Sequence, residues 1–348
     1  MNKYSLYSLL LAIIVTAALK ITACNSSSEK EAIVTNKLSI VTTIYPEYAW
    51  TKEILGTHAD SVNLTLLMKN GVDLHSYKPT AQDVAKIASA DMVIYVGGES
   101  DEWIKDALAA SPKKGRTEIN LITALGDRVK AEEVIEGMQV EESKDDDSEH
   151  KHHEHAEHHE HHHEHEEEVE NDEHVWLSLK NAEILVQNIA TELAKLDTVH
   201  ASLYAQNANA YVAKIQSLDN EYRTAVENAT RKTVLFGDRF PFRYLVDDYG
   251  IKYYAAFVGC SAESEASFET IAFLAGKMDS DSLPAIFTIE KGNQKIAAAI
   301  LAASKNSKEA QILTLNSMQS VTEQQIAEGA DYLSIMKSNL EVLKNALK

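Results

Sequence analysis

A long stretch without glycine or proline, Val175–Phe236, divides this sequence into two halves. From Val199 onward its apolar residues recur every three or four positions, which is the spacing of one face of an α-helix. We therefore predict one helix over 198–228, about 45 Å long at 1.5 Å per residue. A helix of that length can brace both halves of the chain, and so rigid a connection permits less closure than a flexible hinge.

On either side of the predicted helix, short β-rich runs alternate with helix-compatible runs. The predicted strands are Leu38–Ile44, Asn63–Met68, Asp91–Val96, Glu118–Ile122, Thr233–Phe236, Tyr253–Phe257, Ala285–Thr288 and Ala310–Leu315, and a final helix is predicted over Glu323–Leu347. This alternation is typical of parallel sheets covered by helices, so we predict an α/β fold with two lobes, 37–197 and 229–348. Ligands of such sheets bind outside the carboxyl ends of the strands, which predicts a site in the cleft between the lobes.

The N-terminal segment has the pattern of an export signal. The residues between Lys3 and Lys20 carry no charge, and an aliphatic and small-residue pattern precedes Cys24. This pattern resembles the lipobox of bacterial lipoproteins, which implies removal of residues 1–23 and lipidation of the Cys24 thiol. A single membrane-spanning anchor is the alternative, but the apolar run falls short of the ~20 residues that a spanning helix needs. We expect residues 24–36 to form a polar tether that holds an exported domain at the extracytoplasmic face of the cell membrane.

An acidic, histidine-rich segment lies within the first lobe, just before the long stretch without glycine or proline. Residues 141–174 carry 16 acids against two lysines, which accounts for most of the formal net charge of −20. A chain with this charge lacks the basic face that nucleic-acid binding requires. Because glutamate and histidine alone cannot build a packed core, we expect 141–173 to be a mobile loop. A solvated charge run is the alternative, but histidine-rich tracts bind metal ions weakly and in many interchangeable ways. The candidate accessory ligands are His150, His152, His153, His155, His158, His159, His161, His162, His163 and His165.

Two further histidines lie at predicted lobe edges. His75 follows the strand Asn63–Met68 and precedes a helix that Thr80 can cap, and His174 stands just before the next helical stretch. A single histidine is more often a satisfied polar residue than a ligand. The pair in an exported, histidine-loaded chain indicates a metal site.

These motifs occur in a characteristic order. The order is His75-x-Tyr-x-Pro-Thr, the His-rich acidic insertion, His174-Val-Trp-Leu, a long helix with Tyr204-x-x-Asn207, Phe242-x-Tyr244 and Tyr249-Gly250. Over essentially the whole mature chain it resembles the cluster A-I solute-binding proteins of ABC transporters, the ZnuA/TroA-type zinc and manganese receptors. The resemblance implies two (β/α)₄ lobes, one divalent metal ion in the interlobe cleft, and delivery to a membrane permease. It also implies that His75 and His174 are the two ligands of the N-terminal lobe.

The C-terminal lobe departs from the family pattern. The third ligand position of the family falls on Arg239, which cannot bind a cation, and the fourth falls near Asn316, a weak neutral donor. Since tetrahedral Zn²⁺ generally takes at least three protein ligands, two replacements are needed. We predict Asp238 and Cys260, because each follows a C-lobe strand.

Alternatives to both replacements remain open. Asp238 could instead form an ion pair with Arg239 or Arg243, or cap a helix, and Cys260 could be a buried inert thiol. With Cys24 lipidated, no second cysteine is left for an internal disulfide. The reserve ligands are Glu263, Glu265 and Glu290.

The predicted function is capture of Zn²⁺ outside the cell membrane by a monomer and its release to the membrane subunits of an ABC importer, without enzymatic activity. Manganese is the alternative metal, and a metal-storage or adhesin lipoprotein is the alternative class. A metal-dependent hydrolase is a further alternative, but the sequence contains no HExxH pair outside the histidine-rich tract and no serine nucleophile elbow.

Overall fold

The computed structural model describes residues 37–139, 170–259, 261, 265–290, 292–305 and 310–348. The predicted export signal with Cys24, the tether, the ten accessory histidines, Cys260 and Glu263 lie outside the described residues. None of the helices in these described ranges combines the length and the hydrophobicity that spanning a bilayer requires.

Among the residues that the structure describes, eight strands form two separate parallel sheets of four strands each. They are β1 (Ser39–Thr42), β2 (Asn63–Leu66), β3 (Met92–Tyr95), β4 (Thr117–Asn120), β5 (Thr233–Phe240), β6 (Lys252–Val258), β7 (Ala285–Ile289) and β8 (Gln311–Leu315). The strand order is β2-β1-β3-β4 in the first sheet and β6-β5-β7-β8 in the second. Every strand pair is parallel, so the predicted α/β class with two parallel sheets is confirmed.

Helices connect the strands and cover the sheets. They are α1 (Tyr45–Leu55), α2 (Ala81–Ser89), α3 (Trp103–Ala110), α4 (Leu121–Leu125), α5 (Leu179–Leu196), α6 (Ala201–Glu227), α7 (Arg243–Tyr249), α8 (Phe268–Ser280), α9 (Lys295–Ala303), α10 (Glu323–Ala327) and α11 (Tyr332–Ala346). Short 3₁₀ turns lie at Gly56–Ser61, Leu74–Ser76, Gly126–Arg128 and Val175–Leu177.

The prediction of one continuous C-terminal helix was wrong. The segment forms two helices, α10 and α11, separated by a turn in which Gly329 has φ +93°. That backbone conformation is open to glycine and strained for other residues, so it ends α10. Asp331 then caps α11 by accepting a hydrogen bond from the Ser334 backbone amide.

The long helix α6 contacts both halves, as its length predicts. Near its start, the Asn207 side chain donates a hydrogen bond to the Ile54 carbonyl at the end of α1. Near its end, the buried Tyr222 hydroxyl donates to the Met336 carbonyl in α11. The two sheets are therefore held along one rigid element.

One continuous hydrophobic core contains residues of both halves. Trp50, Trp176 and Tyr332 are fully buried there, and Trp50 packs edge-on against Tyr332 with ring centroids 5.2 Å apart. The Trp176 indole donates to the Ser317 carbonyl at 2.8 Å, and the Tyr332 hydroxyl donates to the Trp176 carbonyl at 2.8 Å. These bonds join the segment after His174 to the loop after β8, which places both at one site.

Candidate metal centre

His75 and His174 lie together in the cleft. Their Nε2 atoms are 3.2 Å apart, and the ring centroids are 5.2 Å apart. The His75 side chain is 8 % exposed and the His174 side chain is fully buried. Two residues that are 99 positions apart in the sequence thus present the same ring nitrogen to the same point.

His75 is positioned by the loop that follows β2. It lies in the 3₁₀ turn Leu74–Ser76, and the Asp73 carboxylate caps this turn by accepting a hydrogen bond from the His75 backbone amide at 3.0 Å. On the ring, Nδ1 lies 2.6 Å from the Ser100 hydroxyl and 3.9 Å from the Glu173 carboxylate. Because Nδ1 is engaged on one side of the ring, Nε2 faces the other imidazole.

His174 is positioned by Asp172. One carboxylate oxygen of Asp172 lies 2.9 Å from the His174 backbone nitrogen and 2.9 Å from the ring Nδ1. An Nδ1–H that donates to a carboxylate leaves the Nε2 lone pair free, which is the usual arrangement behind a metal-binding imidazole. The backbone of the opposite lobe approaches closely, because a Cβ added at Gly259 would lie 3.0 Å from the ring Cε1. The same Cβ would lie 2.9 Å from the Phe240 carbonyl oxygen, so a larger residue at this position requires the backbone or the ring to shift.

The environment keeps His75 neutral. Burial, the neighbouring His174 and Arg239 together lower its pKa to about 3, although the Asp73 carboxylate opposes them. A neutral imidazole retains the lone pair that a metal ion needs. The buried Glu173 oxygen that lies near His75 Nδ1 has no hydrogen-bond partner among the described residues. It is available to fix the His75 ring from behind.

Gln319 is the third side chain at this point, and the sequence analysis missed it. Its amide nitrogen lies 2.5 Å from His174 Nε2 and 3.1 Å from His75 Nε2. Gln319 follows β8 through a turn in which Met318 has φ +62°, and the Asn316 side chain accepts a hydrogen bond from the Met318 amide. The available sequence signal is that a polar residue follows a C-lobe strand, but many residues share that property.

Glu290, a reserve ligand in the sequence analysis, holds the Gln319 loop in place. Its carboxylate accepts hydrogen bonds from the Ser317 amide at 2.6 Å, the Ser317 hydroxyl at 2.8 Å and the Gln319 amide at 3.2 Å. Burial raises the pKa of Glu290, although these hydrogen bonds oppose the shift. Glu290 therefore influences the two imidazoles indirectly, by holding the loop that carries Gln319.

The sequence matches the family of zinc-uptake complex component A, periplasmic, known as ZnuA, over residues 40–346. The chain belongs to this family. It is 34 % identical over 339 residues to the zinc-binding lipoprotein AdcA of Streptococcus pneumoniae, with 97 % of this chain and 60 % of that relative covered. The chain thus spans about three fifths of the length of that relative. It is 31 % identical over 339 residues to the high-affinity zinc uptake system protein ZnuA of Bacillus subtilis, with 97 % of both chains covered.

Solved structures of ZnuA-like proteins share the fold. The Zn(II)-bound ZnuA-like domain of S. pneumoniae AdcA has a TM-score of 0.65 and 30 % identity, covering 89 % of this chain and 99 % of that domain. The laminin-binding protein Lmb of Streptococcus agalactiae, described as bifunctional with adhesin and metal-transporting activity, has a TM-score of 0.66 and 26 % identity, covering 89 % and 100 %. The predicted membership among metal receptors of ABC transporters is confirmed.

In this member of the ZnuA family, the third ligand position carries an ion pair. Arg239 donates to the Asp73 carboxylate at 2.7 Å, and Asp73 is the residue that caps the His75 turn. Burial raises the pKa of Asp73, but the Arg239 guanidinium and the hydrogen bond from the His75 amide outweigh it, so the pKa is lowered and the carboxylate is charged. Arg239 thus fixes a ligand-bearing loop of the opposite lobe. At the fourth position, the Asn316 side chain is occupied by the Met318 amide.

The structure does not bring Asp238 together with the two imidazoles. Its carboxylate accepts hydrogen bonds from the Arg239 amide at 2.8 Å and the Ile289 amide at 3.2 Å, and packs so closely on Gly292 that a Cβ there would lie 2.1 Å from it. The physical reason is a register shift between β5 and β6 at this point, which turns the chain after Phe236. Within the described ranges, no carboxylate completes a three-donor cluster with His75 and His174.

Asp101 stabilises the loop that carries Ser100, and we expect it to make stability depend on pH. Its carboxylate accepts hydrogen bonds at 2.8 Å from the Val96 and Gly97 amides, and burial raises its pKa to about 7. Because the folded pKa exceeds the unfolded value, the stabilising contribution is complete below about pH 4 and is lost as pH rises through 7. The free energy of unfolding of the wild type should therefore fall, relative to Asp101→Asn, by up to about 4 kcal/mol between pH 4 and 8.

Chemical denaturation of both proteins at several pH values measures this difference, with Asp106→Asn in the neighbouring helix as the control for loss of an exposed carboxylate. Equal pH slopes for wild type and Asp101→Asn would show that folding does not raise the pKa of Asp101.

Proposed function

We propose that the cleft between the two sheets binds one Zn²⁺ ion and that the protein delivers it to the membrane subunits of an ABC importer. The observation that carries this proposal is the 3.2 Å separation of two Nε2 atoms whose rings are held from behind at Nδ1. Two nitrogens bound tetrahedrally at 2.0–2.1 Å to one Zn²⁺ lie about 3.3 Å apart. The imidazole pair is thus already close to the required spacing.

Further donors come from the C-terminal lobe. The Gln319 side chain occupies the point to which both Nε2 atoms are directed, so a rotation of its amide would offer an oxygen to the ion. Cys260 and Asp238 stay predictions as ligands. The Cys260 prediction is supported by Gly259, which packs directly on the His174 ring. A thiolate donor would favour zinc over manganese.

Three further parts of the proposal rest on the sequence. Lipidation at Cys24 holds the receptor at the extracytoplasmic face of the membrane, and the receptor is a monomer that touches the membrane only through this anchor. The ten accessory histidines raise the local metal concentration without forming the transported site. Membership in the zinc-uptake family supports the role of a solute-binding receptor.

Metal titration of the full chain tests the cleft site. To silence the accessory histidines, all ten are changed to glutamine, and we call this protein the loop-Gln protein. We expect it to bind one Zn²⁺ tightly in competition with a chromophoric chelator, and to bind Mn²⁺ at least about 100-fold more weakly. Unchanged tight binding after His75→Ala and His174→Ala together would place the tight site elsewhere.

A growth experiment tests delivery. In a strain that lacks its own copy of the gene, the full chain should restore growth in zinc-chelated medium, and the His75→Ala, His174→Ala double variant should not. Equal rescue by both proteins would contradict delivery from the cleft.

Adhesion is the second candidate function, because the structural neighbour Lmb is described as an adhesin as well as a metal transporter. Binding of the full chain to immobilised laminin, with and without Zn²⁺, separates this function from transport. Absence of laminin binding by the full chain would leave transport alone.

A further inference from the structure

We propose that His58, Asp197 and His200 form a second metal site, which binds a divalent transition-metal ion such as Zn²⁺. One donor atom from each residue can be chosen so that all three lie within 4.8 Å of one another. His58 Nε2 lies 3.5 Å from Asp197 Oδ2, and His200 Nδ1 lies 2.7 Å from the same oxygen. This cluster is independent of the cleft and of the accessory histidines.

The cluster lies far from the cleft. His174 precedes the start of α5, and Asp197 and His200 follow its end. Helix α5 has 18 residues, which corresponds to about 27 Å at 1.5 Å per residue. His58 likewise precedes β2, whereas His75 follows the carboxyl end of that strand. The two sites therefore lie at opposite ends of the same sheet and helix.

Packing brings the 3₁₀ turn that carries His58 onto the start of α6. The Asn207 amide donates to the Ile54 carbonyl at 2.9 Å, just before this turn. Gly56 has φ +53°, and a Cβ there would lie 2.5 Å from the Asn207 amide nitrogen. Glycine is therefore required both for the conformation and for the close approach. As a result the His58 and His200 rings stack, with centroids 3.7 Å apart and planes 24° apart.

Asp197 is held in place by a buried tyrosine. The Tyr204 hydroxyl donates to Asp197 Oδ2 at 2.8 Å, and the His200 backbone amide donates to Oδ1 at 3.3 Å. An outer hydrogen bond of this kind orients a carboxylate ligand. Burial raises the pKa of Asp197, but the hydrogen bonds from Tyr204 and His200 outweigh it, so the pKa is lowered and the carboxylate is charged.

Two imidazoles and one carboxylate are a donor set for zinc, copper, nickel or ferrous ions, and not for the oxygen-preferring Mg²⁺ or Ca²⁺. The His58 and Asp197 donors are already near the ~3.3 Å spacing of a tetrahedral site, and the His200 contact has to open by about half an ångström. His200 binds through Nδ1 as its Nε2–H tautomer, so binding moves one proton within the ring and releases none from it. The side chains are 19 %, 19 % and 36 % exposed, which leaves the remaining coordination positions to water.

The test uses the loop-Gln protein with the cleft intact and Zn²⁺ as the probe. We expect one tight equivalent and one weaker equivalent, and we expect His58→Gln or Asp197→Asn to weaken the second at least about tenfold. Glu192→Gln, which removes a carboxylate near the same end of α5, should leave both equivalents unchanged. Mg²⁺ at the same concentration should not compete.

A second experiment excludes misfolding, and metal bound in the cleft, as explanations of the result. In the loop-Gln protein with His75→Ala and His174→Ala, Zn²⁺ should still raise the melting temperature by mass action, and adding His58→Gln should abolish that increase. A second equivalent that survives His58→Gln and Asp197→Asn, or no second equivalent in the loop-Gln protein, overturns the proposal and leaves the cluster as a helix cap. Neither result bears on the cleft, whose tight equivalent is measured separately.

Discussion

His174→Ala should abolish tight Zn²⁺ binding in the cleft. His174 supplies one of two facing Nε2 atoms, its ring is fully buried, and its Nδ1 is held by Asp172. The alanine variant would leave a single imidazole in the cleft, and the alanine methyl group cannot replace the lost nitrogen ligand. Loss of an outer-sphere partner alone usually costs 10–100-fold in metal affinity, so we expect loss of a ligand to raise the dissociation constant at least about 100-fold.

This effect is measured by chelator competition in the loop-Gln protein. His58→Ala is the matched control, because it removes one histidine from the chain without touching the cleft. A change of less than about threefold for His174→Ala, with the protein folded by circular dichroism, would remove His174 from the ligand set.

Gln319→Glu should tighten Zn²⁺ binding in the same cleft. The amide nitrogen of Gln319 lies 2.5 Å and 3.1 Å from the two imidazole nitrogens, so a glutamate there places a charged oxygen beside both. A carboxylate at 2.0–2.2 Å is a normal third ligand for zinc. We expect the dissociation constant to fall about 10- to 100-fold, with the metal-free protein less stable because Glu290 lies nearby.

Gln319→Met provides the control of similar size without a charge, and it should bind no more tightly than wild type. Isothermal titration of the three proteins under the same chelator gives the comparison. If Gln319→Glu binds Zn²⁺ no better than Gln319→Met, the ion does not lie between the imidazoles and this side chain.

The fold could be predicted from local pattern. The two blocks of alternating strands and helices required only periodicity and turn residues, and the long helix starts three residues later and ends one residue earlier than predicted. The single C-terminal helix was wrong because one glycine at positive φ, Gly329, outweighs a continuous apolar pattern.

The candidate site could be predicted only in part. His75 and His174 stand in motifs that survive in this sequence, and the structure brings them together. The sequence could not identify Gln319 as part of the site, because the left-handed turn at Met318 decides where the Gln319 side chain points. The position of the Asp238 side chain depends in the same way on the register shift after Phe236, and no sequence pattern predicts that shift.

The second metal site was missed for a different reason. His58 and Asp197 are separated by most of the N-terminal half, and their proximity depends on how Gly56 lets one turn approach α6. Such contacts come from tertiary packing, which periodicity does not encode.

The hydrogen bond between the Trp176 indole and the Ser317 carbonyl has a consequence for ion selection. It connects Trp176, two residues beyond His174, to the loop that carries Gln319. Donors from both lobes are therefore held at fixed positions relative to one another. Relative movement of the two sheets should then open the entrance of the cleft, while the distances between the donor atoms stay constant. Selection of the ion by its radius should therefore not depend on the movements that let the ion enter and leave.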